Sequence, residues 1–348
     1  MNTSLPAESA DNRTDARKGQ RNLGGDRAFG PGFEMRTPSI ILMAFLGLLT
    51  INTRVLAEVV TWDGGGAEDQ SWHTADNWNS NTVPASGDEV VFPDLGDGYT
   101  VQYDPQGDGA ALSVTINNLT VQQSAGKLEV ISGTLVCTGS LDIHSAAAIY
   151  VKGGTLQADG PAQAIDGGTL RVISGTMMHA STLHFDSEGS LSLTGGRLRV
   201  NGTLIQDGLY SISSGGILEI NGTVNGNSVI QYLNTDGTGS LVGGGGIINM
   251  TDGGHFSATG GNTKPVSGTL TNQGDFFFSQ GNLLFNNCTF NNEGIMYFPY
   301  RTGEGIVAGT GTNQLNNSGT LNIQKAFVGV PLNNQSGGYL SCTDAVFY

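Results

Sequence analysis

The sequence predicts an all-β protein folded as a parallel β-helix, or β-solenoid, with an expected right-handed coil and an N-terminal Trp-rich β cap. Gly accounts for 54 of 348 residues and charged residues for only 13%, a composition that disfavours helices. Short apolar–polar–apolar triplets recur along the chain, many of them marked by a Gly-Thr-Leu phrase. Strands this short bury a continuous core only when successive coils stack.

Composition divides the chain into four segments. Residues 1–57 form an export signal region, and residues 58–110 form a Trp-rich β cap module. Residues 111–261 are a Gly-rich solenoid, and residues 262–348 are solenoid coils rich in Asn and Phe. A regular supply of Leu, Ile and Val from about residue 112 onward excludes a disordered body.

The export signal is an apolar run at residues 40–51, which Arg36 precedes. The run is shorter than the roughly 20 residues that a membrane-spanning helix needs. It therefore predicts a signal peptide at residues 35–57, cleaved after Ala57, with no stable membrane span afterwards. We favour translation from Met35 over Met1, because the polar residues before Met35 are unusual for a signal. The expected location is extracellular, at the cell surface, or in the periplasm or outer membrane.

Charge is distributed unevenly along the chain. Residues 1–57 hold seven of the 15 basic and five of the 30 acidic residues, so the remainder holds 8 and 25, a net charge of −17. This acidic body argues against a nucleic-acid partner, since phosphate binding needs a basic surface. Solubility explains the acidity more simply than bound divalent cations. An extracellular glycan or a surface protein is the expected partner.

The cap module contains all three Trp residues and three expected strands, at 59–62, 89–92 and 99–103. Its pattern is a Trp-x-Gly-Gly turn, a second Trp, an Asn-Trp pair, and a Pro and a Gly-Asp before an apolar strand. These elements are Trp62-Asp-Gly64-Gly65, Trp72, Asn77-Trp78, Pro84 and Gly87-Asp88-Glu89-Val90-Val91-Phe92. The pattern resembles the opening of bacterial secreted, autotransporter-like β-repeat proteins. The resemblance covers about 45 residues plus the repeat style downstream, and it implies a surface or matrix protein with a β-helical body.

Two interpretations of Trp62, Trp72 and Trp78 compete. Their aromatic faces could stack on sugar rings and form a carbohydrate-binding surface. Alternatively, the side chains plug the open first coil, which would otherwise expose apolar core and a sheet edge. We favour the capping interpretation, because the terminal repeats of solenoids need capping.

Four Asp residues in turns, Asp94, Asp97, Asp104 and Asp108, offer oxygen atoms of the kind that bind Ca²⁺. Neither turn matches the spacing of known calcium-binding loops. Asp-Gly is also the ordinary composition of tight turns. We therefore favour turns over a Ca²⁺ site, and no other cofactor is expected.

In the body, Gly and Asn suit the corners between strands, and Asn amides can hydrogen-bond along a stack of like residues. The dense Phe residues at 276–278, 285, 290 and 298 are expected to stack internally. The spacing of Cys137, Cys288 and Cys342 matches no metal site, and one pair could form a disulfide in an oxidising compartment. We favour three free thiols packed as small apolar side chains.

No catalytic motif is present: the sequence lacks Gly-x-Ser-x-Gly, His-Glu-x-x-His and a phosphate loop. Carboxylate pairs that could serve a glycan-degrading β-helix are Asp186 with Glu188, and Asp159 with Asp166. The sequence thus favours a non-enzymatic adhesion or extracellular-matrix protein. Two alternatives stay open, a carbohydrate-binding module centred on Trp72 and Trp78, and a polysaccharide lyase or hydrolase of the parallel β-helix type.

Overall fold

Strands of this protein pair with strands one coil away rather than with their neighbours in sequence, and every ladder between described strands is parallel. The computed structural model describes residues 57–66, 69–96, 98–122, 126–161, 163–213, 215–226, 229–232, 240–250, 255–258, 263–278, 280–298 and 304–348. The predicted parallel β-solenoid is confirmed. The handedness of its coil stays a prediction, and the predicted signal segment lies outside the described residues except for Ala57.

Each typical coil contributes three strands, which build three parallel ladders here named faces 1, 2 and 3. Face 1 is a 12-stranded sheet. Its strands are Thr100–Tyr103, Lys127–Val130, Ala148–Val151, Thr169–Val172, Ser190–Leu193, Leu209–Ile212, Val229–Tyr232, His255–Ala258, Asp275–Phe278, Ile295–Phe298, Thr320–Gln324 and Tyr339–Thr343. Partners in this ladder, such as Thr169 and Ser190, are 21 residues apart, which is the length of one coil.

Faces 2 and 3 belong to one 22-stranded sheet because three long strands run through both. The strands of face 2 alone are Ser113–Ile116, Thr134–Cys137, Thr155–Ala158, Thr176–His179, Arg197–Val200, Ile217–Ile220, Gly305–Ala308, Phe327–Val328 and Val346–Phe347. The strands of face 3 alone are Val59–Thr61, Glu89–Phe92, Leu119–Val121, Leu141–His144, Gln163–Asp166, Thr182–Phe185, Thr203–Gln206, Thr223–Gly226, Gln314–Asn317 and Leu332–Asn334.

The long strands shared by faces 2 and 3 are Ser240–Met250, Thr263–Asn272 and Asn282–Asn292. The first half of Ser240–Met250 pairs with a strand of face 2 and the second half with a strand of face 3. The corner between the two halves falls at Gly245, whose φ of +91° lies in the left-handed region that glycine tolerates. The four consecutive glycines Gly243–Gly246 thus form a corner within a strand.

In the part of the chain that the structure describes, helical structure is confined to two short turns, a 3₁₀ turn at Ala75–Asn77 and an α-helical turn at Pro105–Asp108. Residues Arg54–Tyr348 form one compact unit. Its ladders cross the compositional boundaries near residues 110 and 262, since Glu89–Phe92 pairs with Leu119–Val121 and Ser240–Met250 pairs with Thr263–Asn272.

The core lies inside the coil because alternate residues of each strand point inward, as the period of two requires. On face 1 the inward positions from Thr100–Tyr103 to Thr320–Gln324 are buried apolar side chains. One such column consists of Val101, Leu128, Ile149, Leu170, Leu191, Tyr210, Ile230, Phe256, Phe276, Met296 and Leu321. Stacking coil upon coil therefore buries one continuous apolar interior.

Asparagines stack in the interior of the last coils, as the sequence predicted. The Asn272 side-chain amide donates to the Asn292 Oδ1 at 2.8 Å, Asn292 donates to Asn317 at 2.7 Å, and Asn317 donates to Asn334 at 2.6 Å. Each of the first three amides also donates to a backbone carbonyl, as Asn292 does to Thr320. The buried amides are thereby hydrogen-bonded along the stack.

Two sequence expectations about the interior need correction. Cys137 and Cys288 are buried free thiols, as expected, but Cys342 is exposed on the last strand of face 1. The Phe run also divides, because Phe276 and Phe278 point inward whereas Phe277 points outward. Strand alternation explains Phe277, since it sends neighbouring residues to opposite sides. Cys342 instead occupies the inward position that Ile323 holds on the preceding coil, and it is exposed because its strand ends the ladder of face 1.

Candidate functional site

The Trp cluster lies inside the first coils. Trp62, Trp72 and Trp78 are only 3%, 0% and 0% exposed. The Trp78 ring packs edge-on against Trp62 at 5.1 Å and against Trp72 at 5.0 Å between ring centroids. Trp72 also meets the Tyr103 ring at 5.6 Å, edge to face, so the three rings close the N-terminal end of the core.

Hydrogen bonding in the cluster is internal too. The Trp78 indole N–H donates to the Trp72 carbonyl at 2.8 Å, and the buried Asn77 amide donates to the carbonyls of Asp69 and Ser71. The side chains of Asn77 and Trp78 therefore stabilise the loop of the cap module by hydrogen bonds within it. The cap is confirmed, and the buried rings present no aromatic face on which a sugar could stack.

The Asp residues considered for Ca²⁺ are used by local hydrogen bonds. Asp94 accepts from the Gly96 N–H at 2.9 Å, and Asp104 caps the Pro105–Asp108 turn by accepting from Gly107 at 3.2 Å and from the Ser132 hydroxyl. Asp108 accepts from the Ser71 hydroxyl at 2.6 Å. Asp97 lies outside the described residues. Among the described residues, no group of three or more His, Cys, Asp or Glu side chains is arranged to hold a metal ion.

The carboxylates considered for catalysis combine differently from the predicted pairs. Asp186 opens a turn in which its Oδ1 accepts from the N–H groups of Gly189 at 2.6 Å and Gly167 at 2.9 Å. The Asp166 side chain lies beside Asp186 and also favours its charged form. Slight burial opposes the charged form, but these hydrogen bonds prevail and lower the pKa of Asp186. Asp159 accepts from the Gln157 amide at 2.6 Å instead.

The pair that the fold creates is thus Asp166 with Asp186, one residue from each predicted pair. Asp166 ends a strand of face 3, and Asp186 follows the next strand of that face. Glu188 donates its backbone N–H to the Asp186 carboxylate at 3.2 Å, so residues 186–189 form a turn that Asp186 closes.

A group of side chains that the sequence did not single out lies on the outside of face 1. His255, Phe277 and Tyr297 come from three successive coils and form what we call the aromatic column. The ring centroids of His255 and Phe277 are 4.9 Å apart, and those of Phe277 and Tyr297 are 5.3 Å apart. All three side chains are partly exposed, because they occupy outward positions between buried residues.

Amide, hydroxyl and apolar groups lie beside the aromatic column, together with the carboxylate of Asp275 on the strand of Phe277. The Tyr297 hydroxyl donates to the Gln324 side-chain oxygen at 3.3 Å, and Asn322 is the register partner of Tyr297 on the next coil. Ile295 is 46% exposed beside it, and Tyr339 is 63% exposed further along the face. This end of face 1 therefore presents apolar rings together with amide and hydroxyl groups.

The earlier coils of face 1 carry charge instead. Glu129 lies between Lys127 and Lys152, with N–O distances of 2.5 and 2.7 Å. Burial opposes ionisation of Glu129, but the hydrogen bonds from both lysines prevail and lower its pKa. The Lys127 ammonium also lies 5.1 Å from the centroid of the Tyr150 ring. The two ends of one face thus differ in chemistry.

No protein-family model, curated protein or solved structure matches this chain. Among the described residues, no helix has the length and apolar character needed to span a membrane.

Proposed function

We propose that this chain is an exported, non-enzymatic β-solenoid that works by contact, in adhesion or in an extracellular matrix. The observation that carries the proposal is the 12-stranded ladder of face 1. Each coil adds outward side chains at the same positions, so the face offers a long surface on which weak contacts can add up. Repeat proteins commonly use such extended surfaces for binding.

Export is part of the proposal and is supported by the signal-like segment at residues 35–57. The resemblance of the cap module to secreted β-repeat proteins supports it too. Expression in a bacterial host, followed by N-terminal sequencing of the exported fraction, tests it. We expect the exported chain to begin at Glu58. Retention of the whole chain in the cytoplasm would contradict this part of the proposal.

One observation favours an enzyme as the second candidate, namely the carboxyl pair of Asp166 and Asp186. Glycoside hydrolysis uses two carboxyl groups that flank the scissile bond, about 5–10 Å apart. Here the two carboxyl groups lie side by side, and Asp186 accepts from three backbone N–H groups, those of Glu188 and Gly189 in its own turn and that of Gly167 one coil earlier. This geometry supports a structural role better than a catalytic one.

The deciding experiment incubates the purified full chain with immobilised polysaccharides and extracellular-matrix proteins, with and without calcium. Retention of the protein and release of soluble sugar fragments are measured on the same samples. The variant Asp166→Asn with Asp186→Asn serves as the control for catalysis. We expect retention without fragment release, and equal retention of the control variant.

Fragment release by the native chain that the control variant lacks would overturn the non-enzymatic proposal and establish the carboxyl pair as catalytic. The contact function would be contradicted if the native chain adhered to none of the surfaces tested. Retention that requires calcium would indicate that the Asp-rich turns of the cap module bind Ca²⁺.

A further inference from the structure

We propose that the aromatic column of His255, Phe277 and Tyr297 binds a linear chain of neutral sugars that runs along the solenoid axis. The proposal rests on the contact function proposed above and names its ligand class and its site. It places sugar binding on the outside of the last coils, which follow the buried Trp cluster by about half the length of the sequence.

The direction of the ligand follows from the register of the sheet. Phe277 and Tyr297 are direct register partners on adjacent strands, and His255 contacts Phe277 from the preceding coil. The column therefore runs along the solenoid axis, with ring spacings of 4.9 and 5.3 Å. These ring spacings are close to the length of one pyranose residue, so successive sugars of an extended glycan can lie against successive rings of the column.

The chemistry of the column suits sugars because each pyranose combines an apolar C–H face with hydroxyl edges. Aromatic rings offer apolar surface to the C–H faces. Asn322, Gln324 and the Tyr297 hydroxyl lie beside the rings and offer both donors and acceptors to the hydroxyl edges. Rigid aromatic side chains also lose little conformational entropy on binding.

The charge of the surface selects neutral sugars. In the described strands His255–Ala258, Asp275–Phe278, Ile295–Phe298 and Thr320–Gln324, the outward acidic or basic side chains other than the Tyr297 phenol are His255 and Asp275. No Lys or Arg in these strands is available to pair with a uronate or sulfate group. The body as a whole carries a net charge of −17, which repels anionic polymers.

The test uses affinity electrophoresis of the full chain in gels that contain soluble xylan, mixed-linkage β-glucan, glucomannan or polygalacturonate. The variants are Phe277→Ala and Tyr297→Ala. The matched control is Tyr150→Ala, since Tyr150 is an outward aromatic residue on the charged end of the same face. We expect at least one neutral glycan to retard the native chain. Each column variant should weaken that binding at least tenfold, whereas the control should change it less than twofold.

The variant Phe277→Trp keeps the proposal falsifiable if an Ala variant fails to fold, because a larger ring should preserve or strengthen binding. Absence of retardation by every neutral glycan, unchanged affinity of both Ala variants, or stronger retardation by polygalacturonate than by the neutral glycans would overturn the proposal. Adhesion of the native chain and of Phe277→Ala to the same matrix protein, without glycan binding, would overturn this inference while leaving the contact function intact.

Discussion

Aromatic residues form two clusters in this protein, one inside the coil and one outside. The Trp cluster lies within the first coils, where its rings touch one another and Tyr103. The aromatic column lies on the outer side of face 1, where Phe277 has Phe276 and Phe278 as buried neighbours. The difference teaches that position in the strand alternation, rather than residue type, decides whether an aromatic ring stabilises the fold or faces a partner.

The largest effect should come from the inner cluster. We expect Trp72→Ala to lower the free energy of unfolding by about 3–5 kcal/mol, because it leaves a cavity among Trp78, Phe92 and Tyr103. Denaturant unfolding followed by circular dichroism measures the change. A loss below about 1 kcal/mol, together with loss of sugar binding, would restore the sugar-binding interpretation of the Trp residues.

The contrast between inside and outside extends to histidine. His179 is fully buried with neither ring nitrogen hydrogen-bonded, and desolvation lowers its pKa to about 4. An unfolded His has a pKa of about 6.5, so the unfolded chain binds more protons between these two values. Stability should therefore be fully present above about pH 6.5 and decline by about 3 kcal/mol as the pH falls through about 4.

The variant His179→Leu isolates this effect, because the side chains stacked above and below it are Ala158 and Val200. Urea unfolding at pH 7 and at pH 4 should give a smaller difference for the variant than for the native chain. The control is His184→Gln, since His184 points outward and contacts Asp207 at 3.0 Å. An unchanged pH dependence in His179→Leu would show that other groups cause the acid sensitivity.

The Asn doublets provide a comparison between adjacent residues. Asn292 belongs to the buried stack, whereas Asn291 belongs to an outer stack in which it accepts from Asn316 at 2.9 Å. We expect Asn292→Ala to cost about 2–3 kcal/mol, because it leaves the buried Asn317 oxygen without its donor. Asn291→Ala should cost less than about 0.5 kcal/mol. Equal losses in thermal unfolding would refute the assignment of the two stacks.

The smallest stability effect should come from the aromatic column. Phe277→Ala should change the free energy of unfolding by less than about 1 kcal/mol, because its ring is partly solvated in the folded protein. Calorimetric melting of this variant beside Trp72→Ala measures the contrast directly. A loss comparable to that of Trp72→Ala would mean that the column is structural, and would weaken its assignment as a binding surface.

Much of the fold could be predicted because strand alternation is visible in single triplets. The strand Glu89–Phe92 was expected at its observed bounds, and Leu119–Val121 is an apolar–polar–apolar triplet that forms a strand of its own. The stacked Asn amides followed from the doublets and from the chemistry of like residues in register. These features depend on local sequence, so they need no knowledge of which coil lies above which.

The sites were harder to predict because they depend on register between coils of unequal length. Partners in one ladder are separated by 21 residues at Thr169 and Ser190, by 25 at Asn292 and Asn317, and by 17 at Asn317 and Asn334. The proximity of Asp166 to Asp186 could not be predicted from their separation in the sequence alone. Phe277 could have been found, since the middle of three consecutive strand residues must point away from its neighbours.

The in-register coil also determines how such a chain can change its length. Thr155 and Thr176 hold equivalent places in face 2, so deletion of residues 155–175 would join the ladders again with every side chain on its original side. Deletion of one residue within a strand would reverse inside and outside for the rest of that strand. Gain and loss of whole coils is therefore the route by which a lineage of such proteins could lengthen or shorten its surface without rebuilding its interior.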